Sequence, residues 1–246
     1  MAQTPATPVM DHTYDCKHAV EIEQEPRHHL VFSNEFVRGF AVEIAPHERS
    51  LCHRHPNDYV LYVASGAEIV SAARDEEPKR LNYSDGECEL LEAGLVHVVE
   101  NLGDTPFRNV VVELLPRAGE LRRGVGPGVI RGEAKVAQIF DDERAAIFSI
   151  EIKPGAEVEV SGPAVVATPY GNNLSPDAIG GVDVKSNTIC DLAWIPPQRQ
   201  AVLWGCRKGP ERAIVFQVGA TDEEPLAVPK SRDPVRSLRA HADEPE

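Results

Sequence analysis

The chain has 246 residues, a formal net charge of −14 at pH 7 and 42% hydrophobic residues. This length accommodates one large domain or two small ones, and the hydrophobic fraction supports a sizeable buried core. The acidic balance, which no cluster of Lys and Arg interrupts, opposes binding to nucleic acid or to an anionic membrane surface. No apolar run approaches the roughly 20 residues that span a bilayer.

The two ends of the chain differ in composition from the middle. Residues 1–14 and 222–246 are rich in Pro, Asp, Glu, Arg and Ala and contain few aromatic residues, so we expect a flexible leader and a flexible tail. The start lacks the basic and apolar regions of an intact signal peptide, which favours a cytoplasmic protein. The alternative is the start of a mature exported chain.

Short runs of β-branched and apolar residues alternate with turn signals between these ends. Pairs such as Ser65-Gly66, Ala93-Gly94 and Gly103-Asp104 mark the turns. No run is long and periodic enough to predict a helix, so the pattern predicts an all-β protein built as a barrel or sandwich. The predicted strands of the first half are 30–32, 37–44, 59–63, 67–72, 88–91, 95–100 and 108–115.

The chain also contains an internal repeat. Residues 34–47 align without a gap to residues 142–155, and residues 106–113 align to residues 210–217. Self-similarity of this kind indicates two related structural units. We therefore predict one all-β unit over 15–118 and another over 129–221, joined by a mobile or turn-rich connection.

Three histidines form the most specific chemical pattern in the sequence. His53 and His55 are two residues apart, so on a strand they present their imidazoles to the same face. His97 lies in another predicted strand and could add a third imidazole to a shared metal ion. The alternative is a pair of surface histidines and one buried histidine held by hydrogen bonds.

The repeat provides a comparison for this metal hypothesis. In the second unit the three histidine positions are occupied by Ser161, Pro163 and Ala201. The joint replacement of His53, His55 and His97 favours one unit that binds metal and one that is structural.

The spacing of His53, His55 and Gly66 resembles the first sequence motif of the cupin superfamily, and His97 with Asn101 matches the closing His-x-x-x-Asn of the second motif. The resemblance covers roughly residues 30–115, and the second unit is similar only in outline. It implies two tandem jelly-roll β-barrels, with a metal site in the N-terminal barrel and a degenerate C-terminal barrel.

Two positions depart from the cupin motifs. The glutamate of the family falls on Tyr59, beside Asp58, and a turn glycine falls on His47, which we expect to be exposed. Neighbouring strand residues face opposite sides, so only one of Asp58 and Tyr59 lies inside, and the motif count favours Tyr59. A three-histidine site without a carboxylate resembles the iron dioxygenases of the superfamily. The resemblance implies one divalent ion, Fe(II) first, with Zn, Ni, Mn and Cu as alternatives.

Other side chains are candidates for substrate binding or catalysis. Arg38 could hold a substrate carboxylate by paired hydrogen bonds, or serve as a charge at the barrel rim. Tyr62 could offer a phenol to substrate, or pack in the sheet. Tyr59 is a candidate catalytic residue. His28 and His29 are adjacent, so at most one can face inward, and we expect a surface position for both.

The five cysteines contain no C-x-x-C pair, and their odd number argues against a full disulfide framework. Cys52 precedes His53 and would face away from the imidazoles. We therefore expect a packed thiol at Cys52.

These patterns predict a metal-dependent cupin enzyme acting on a small organic molecule, with a mononuclear non-haem Fe(II) dioxygenase as the leading interpretation. Zn, Ni or Mn in the site would instead favour an isomerase or a lyase. A non-catalytic binding or sensing protein is the alternative from another class, because the fold does not determine the function. The resemblance also implies that two chains could pair as a homodimer.

Overall fold

The computed structural model describes residues 14, 16–124, 126–169, 179–180, 182–185, 190–205 and 211–220. Regular structure within these ranges is β-strand throughout, apart from 3₁₀ turns at Ile22–Gln24 and Pro116–Glu120, so the all-β prediction is confirmed. Within the same ranges no helix is long and apolar enough to cross a membrane. The predicted tail lies outside the described residues, as does the predicted leader apart from Tyr14.

Ten strands of the N-terminal half form two five-stranded sheets. One sheet has the order β1-β4-β9-β6-β7 and the other β2-β3-β10-β5-β8. A hydrophobic core lies between them, with Phe40, Leu61 and Val111 from one sheet and Ile69 and Val99 from the other. The strands are β1 (Val20–Glu21), β2 (His28–Ser33), β3 (Val37–Ile44), β4 (His53–Arg54), β5 (Asp58–Ser65), β6 (Glu68–Ala73), β7 (Lys79–Asn82), β8 (Cys88–Leu91), β9 (Val96–Asn101) and β10 (Phe107–Leu114).

The C-terminal half repeats this arrangement, with a second core between its own two sheets. A four-stranded sheet has the order β11-β14-β19-β16, and a six-stranded sheet has the order β12-β13-β20-β15-β18-β17. The strands are β11 (Pro127–Arg131), β12 (Ala134–Asp141), β13 (Ala145–Ile152), β14 (Glu157–Ser161), β15 (Ala164–Pro169), β16 (Ile179–Gly180), β17 (Val184–Lys185), β18 (Cys190–Ile195), β19 (Gln200–Trp204) and β20 (Glu211–Val218).

The repeat found in the sequence corresponds to equivalent strands. The aligned segments 34–47 and 142–155 contain β3 and β13, and the segments 106–113 and 210–217 contain most of β10 and β20. In each half these two strands are neighbours in the sheet. His47, at the position of the family's turn glycine, has φ +59° and is exposed, and its counterpart Gly155 has φ +80°. The turn therefore has the left-handed conformation in both halves.

The two halves pack through the outer faces of the β2-β3-β10-β5-β8 sheet and the six-stranded sheet. Tyr62, Val110 and Val112 of the first half belong to one buried cluster with Leu192 and Phe216 of the second half. Strands β5 and β10 are consequently buried on both faces, which explains their apolar runs at residues 59–64 and 110–112. This packing gives rigid support to the strands that carry the interior of the first barrel.

Two residues of the cupin motifs have a structural role in turns and loops. A Cβ atom on Gly66 would lie 2.1 Å from the carbonyl oxygen of Tyr83, so only glycine fits there. Asn101 is fully buried, and its Nδ2 donates hydrogen bonds to the carbonyl oxygens of Ile44 (3.0 Å) and Thr105 (2.8 Å). These contacts fix the loop between β9 and β10.

Candidate metal centre

Four histidine side chains meet inside the N-terminal half: His28 from β2, His53 from β4, His55 just after β4, and His97 from β9. None of them is more than 7% exposed. The pairing of β4 with β9 sets His53 directly opposite His97. His28 pairs with Val42, a residue of the barrel core, so its side chain lies on the interior face of β2.

Three of these imidazoles offer ligand atoms close enough to share one ion, and the ring of the fourth lies against two of them. Each residue of the set His28, His53 and His55 offers a ligand atom, and these atoms all lie within 4.8 Å of one another. The ring centroid of His97 lies 4.6 Å from that of His53 and 5.3 Å from that of His55. The structure thus brings the three predicted histidines together and adds a fourth.

Hydrogen bonds leave one side of these rings without a partner. Nδ1 of His53 lies 2.9 Å from the carbonyl oxygen of Leu51, which assigns the proton to Nδ1 and the lone pair to Nε2. Nδ1 of His97 lies 3.1 Å from Oγ of Ser71. In the described part of the chain, His53 Nε2, His55 Nδ1 and His97 Nε2 are buried without a hydrogen-bond partner. Orphaned buried nitrogens of this kind fit the coordination of a metal ion.

The electrostatics keep these imidazoles neutral. Burial, followed by the proximity of His28, lowers the pKa of His53 to about 3. Burial also holds the pKa values of His55 and His97 well below the ordinary value, and the neighbouring histidines add to this effect. A neutral imidazole keeps a lone pair on one ring nitrogen, so these histidines are suited to bind a metal ion rather than a proton.

The expected surface position is wrong for His28, although His29 is exposed. Nδ1 of His28 lies 2.7 Å from Oε2 of Glu25, a carboxylate that is only 1% exposed. Burial raises the pKa of Glu25, but its hydrogen bonds, that with His28 above all, bring the value down to about 2. A register shift between Leu30 and Phe32 interrupts the alternation of β2, so the sequence carried no clear signal for His28.

Tyr59 is the member of the Asp58–Tyr59 pair that faces inward, as the motif count predicts. Its ring stacks on His55 with centroids 4.0 Å apart, and only 3% of the residue is exposed. Asp58 points the other way, where its Oδ2 lies 2.6 Å from Nη1 of Arg144 and its Oδ1 accepts a hydrogen bond from the backbone of Ala93. Asp58 is therefore engaged outside the histidine cluster.

Arg38 shares the interior face with Tyr59. Both residues lie directly opposite Glu113 of β10, and directly opposed residues point to the same side of a sheet. The Arg38 guanidinium lies 2.5 Å from the fully buried Glu113 carboxylate and also pairs with Glu23. Burial raises the pKa of Glu113, and Arg38 acts in the opposite direction. Arg38 thus lies on the same face as Tyr59, contributes after burial and the neighbouring histidines to the lowered pKa of His55, and is already paired with two carboxylates.

Tyr62, the other predicted substrate-binding residue, does not reach the histidines. It is three residues from Tyr59 and therefore on the opposite face of β5. Its side chain packs between the two halves of the protein, in the cluster that contains Val110 and Phe216. Tyr62 therefore lies away from the histidine cluster, and the sequence did not reveal that both faces of this sheet are buried.

The packed thiol predicted at Cys52 is also wrong, because Cys52 forms a disulfide with Cys16. The bond joins the segment before β1 to the residue next to His53. Cys88 and Cys190 are free thiols, whereas Cys206 lies outside the described residues. The sequence could not indicate this pairing, because Cys16 lies in a segment without a strand pattern.

A surface cavity of about 600 Å³ lies near the disulfide. None of the four histidines lines this cavity, so it is separate from the cluster. It is lined by Tyr14, Cys16, Lys17, Ala72, Ala73, Arg74, Asp75, Glu76 and Pro78.

Comparisons with known proteins find a family model and several solved structures that are similar to parts of this chain. A family model described as a cupin domain matches residues 40–113. No curated protein matches the chain. Among solved structures, AerE from Microcystis aeruginosa is 13% identical with a TM-score of 0.48, and the match covers 79% of this chain and 98% of that one.

Two further solved structures are similar. A salicylate 1,2-dioxygenase from Pseudaminobacter salicylatoxidans is 12% identical with a TM-score of 0.46, and the match covers 75% of this chain and 71% of that one. A cupin domain from Bordetella pertussis Tohama I is 23% identical with a TM-score of 0.34, and the match covers 35% of this chain and 90% of that one. At these values no residue role is carried over from the relatives.

Proposed function

We propose that this chain, whose residues 40–113 match a family model described as a cupin domain, is a metal-dependent enzyme acting on a small organic molecule, of the mononuclear non-haem Fe(II) dioxygenase type. One observation carries the proposal: buried, neutral imidazoles present ring nitrogens that have no hydrogen-bond partner among the residues that the structure describes. These nitrogens are His53 Nε2, His55 Nδ1 and His97 Nε2.

His53, His55 and His97 would hold the ion. Imidazole suits Fe, Ni, Cu and Zn, so the donor set indicates a divalent transition metal rather than Mg²⁺ or Ca²⁺. When bound, such an ion supplies Lewis acidity and, if it is iron, a centre at which substrate and dioxygen can meet. Leu51 and Ser71 orient the rings of His53 and His97 through Nδ1.

We assign roles to two further interior residues, one in binding the substrate and the other in positioning a metal ligand. Arg38 would bind a substrate carboxylate by exchanging its Glu23 partner, whose side chain is 33% exposed, while Glu113 continues to hold the guanidinium. Tyr59 remains a neutral phenol, because burial raises its pKa. We assign Tyr59 to positioning His55, with which it stacks, rather than to proton transfer.

A non-catalytic protein that binds a small molecule is the second candidate. It is favoured by the replacement of the family's glutamate by Tyr59, and by the ion pair that occupies the buried Glu113. A Zn, Ni or Mn isomerase or lyase is the third outcome, which the identity of the metal decides. The proposed partner in each case is a small organic molecule, and pairing of two chains into a homodimer remains part of the proposal.

The disulfide is an argument about the cellular compartment of the protein. Disulfides persist in oxidising compartments and are rare in the cytosol. The Cys16–Cys52 bond therefore favours the exported alternative over the cytoplasmic one. Mass spectrometry of non-reduced peptides from protein isolated with thiols blocked checks this bond, and a free Cys16 would remove the argument.

The metal is tested by elemental analysis of protein purified without added metal. We expect about one equivalent of a transition metal per chain in the unaltered protein and none in the variant H53A/H55A/H97A. The variant H18A/H29A is the matched control, because both of its histidines are exposed. Stoichiometric metal in the triple variant, with its circular dichroism spectrum unchanged, would refute the metal site.

The reaction is tested by oxygen uptake. Iron-loaded protein is supplied with thiols, diketones and aromatic acids in turn, and uptake that requires one of them supports the oxygenase. The variant R38A should then raise KM for a substrate that carries a carboxylate, whereas R80A, at an exposed site, should not. Tight binding of one compound without turnover would instead support the second candidate.

A further inference from the structure

We propose that His28 is a fourth imidazole ligand, supplied from outside the cupin metal motif, and that Glu25 holds its ring in the coordinating tautomer. This inference deepens the proposed function and rests on it. Neither residue belongs to the motif residues that the family resemblance identifies. The two residues lie at the start of β2 and in the turn before it.

The first argument is the distance between the rings. A metal–nitrogen bond to imidazole of about 2.1 Å places the ring centroid about 3.2 Å from the ion, so two ligand rings lie about 4.5 Å apart at 90° and about 6.4 Å apart at 180°. The ring centroid of His28 lies 4.5 Å from that of His53 and 5.9 Å from that of His55. His53 and His55 are themselves 5.0 Å apart. These separations are those of rings arranged around one ion.

The second argument is the hydrogen bond to Glu25. Nδ1 of His28 is engaged by the Glu25 carboxylate at 2.7 Å, which leaves Nε2 with the lone pair. In histidine ligands of metal ions, the N–H of the other ring nitrogen commonly donates a hydrogen bond to a carboxylate. This bond orients the ring and increases its basicity. Glu25 is itself held by hydrogen bonds from the backbone N–H groups of Arg27 (2.8 Å) and Leu51 (3.1 Å). Its carboxylate is therefore fixed before any ion binds.

The third argument is that one network orients two ligands. The N–H of Leu51 donates to Glu25, and the carbonyl oxygen of Leu51 accepts from Nδ1 of His53. A single backbone segment thus sets the tautomers of His28 and His53 together. If Glu25 and His28 had a purely structural role, their pair would not need to share Leu51 with His53, a histidine of the cupin motif.

His28 also explains how the site functions without the family's glutamate. Tyr59 occupies that position and stacks on His55, so the carboxylate ligand is missing. The fourth imidazole from His28 replaces the lost donor, and Glu25 supplies the negative charge one hydrogen bond away from the ion. With four protein donors, fewer positions on the ion would remain for an organic substrate and dioxygen than with three.

Cobalt(II) titration with a competing chelator tests the proposal on the full-length, metal-stripped protein. We expect H28A to bind cobalt more than about 100-fold more weakly than the unaltered protein, and E25Q about 10- to 100-fold more weakly. H29A should bind with unchanged affinity, because His29 is adjacent but exposed. X-ray absorption of the cobalt-loaded proteins should count four imidazoles in the unaltered protein, E25Q and H29A, and three in H28A.

The outcomes separate the inference from the proposed function. If the unaltered protein binds no cobalt, the proposed function fails. If the unaltered protein binds cobalt and H28A binds it with the same affinity and imidazole count, the inference alone is overturned. If H28A is unfolded by circular dichroism, H28Q replaces it, since Gln preserves bulk and polarity without an imidazole, and the same two readings apply.

Discussion

The rings of Tyr59 and His55 lie in parallel contact, with their centroids 4.0 Å apart and their planes 19° from parallel. Tyr59 occupies the sequence position at which cupins carry a glutamate. Tyr59 therefore packs against a proposed metal ligand, and this contact favours one orientation of the His55 ring.

The first prediction concerns this support. Tyr59→Phe keeps the ring and should leave cobalt affinity within about 3-fold, whereas Tyr59→Ala should destabilise the protein by about 3–5 kcal/mol and weaken cobalt binding. Tyr62→Ala is the matched control, because Tyr62 lies on the same strand with similar burial but on the opposite face. It should lower the free energy of unfolding to a similar extent without changing cobalt affinity. Loss of cobalt binding in Tyr59→Phe would mean that the phenol is a ligand.

The second prediction concerns the partner of His97. Ser71 Oγ lies 3.1 Å from His97 Nδ1, so Ser71→Ala removes a contact that orients a proposed ligand. We expect cobalt affinity to fall about 10-fold, with little change in the free energy of unfolding. Ser84→Ala, at an exposed turn, is the control and should leave the affinity unchanged. An unchanged affinity in Ser71→Ala would argue that His97 does not coordinate through Nε2.

The third prediction separates structure from chemistry within the second cupin motif. Asn101→Ala should lower the free energy of unfolding by about 3 kcal/mol, because it leaves the buried carbonyl oxygens of Ile44 and Thr105 without their donor. Metal stoichiometry should remain one per folded chain. Asn82→Ala, at an exposed position, should be close to neutral in urea denaturation. A stable Asn101→Ala protein that has lost its metal would contradict this assignment.

The fourth prediction is a pH dependence of thiol reactivity. Burial, aided by a neighbouring acidic residue, raises the pKa values of Cys88 and Cys190 to about 12. Because only the thiolate reacts and a raised pKa keeps the thiol neutral, iodoacetamide should modify neither residue at pH 8, and modification should rise only as the pH approaches 12. Unfolded in urea, both should react with an ordinary pKa near 8.5. Peptide mass spectrometry reads each cysteine separately, and rapid modification of folded Cys88 at pH 8 would refute the prediction.

The strands that the sequence predicted best are those with long apolar runs. Segment 37–44 was predicted with the bounds of β3, since five of its eight residues are apolar. β4 and β7 were missed, because one has two residues and the other is the polar segment Lys79–Asn82. A strand of this kind exists only through its hydrogen bonds to a neighbour, and these have no counterpart in local sequence.

The same distinction applies to the candidate site. The sequence by itself determined the two-residue spacing of His53 and His55 that predicts a shared face, although only His53 lies in a strand. Only the tertiary structure decided that His28 belongs to the histidine cluster, that Tyr62 lies outside it, and that Cys16 is bonded to Cys52. Each depends on which strands pair and which sheet faces are covered, and those contacts join residues far apart in the chain.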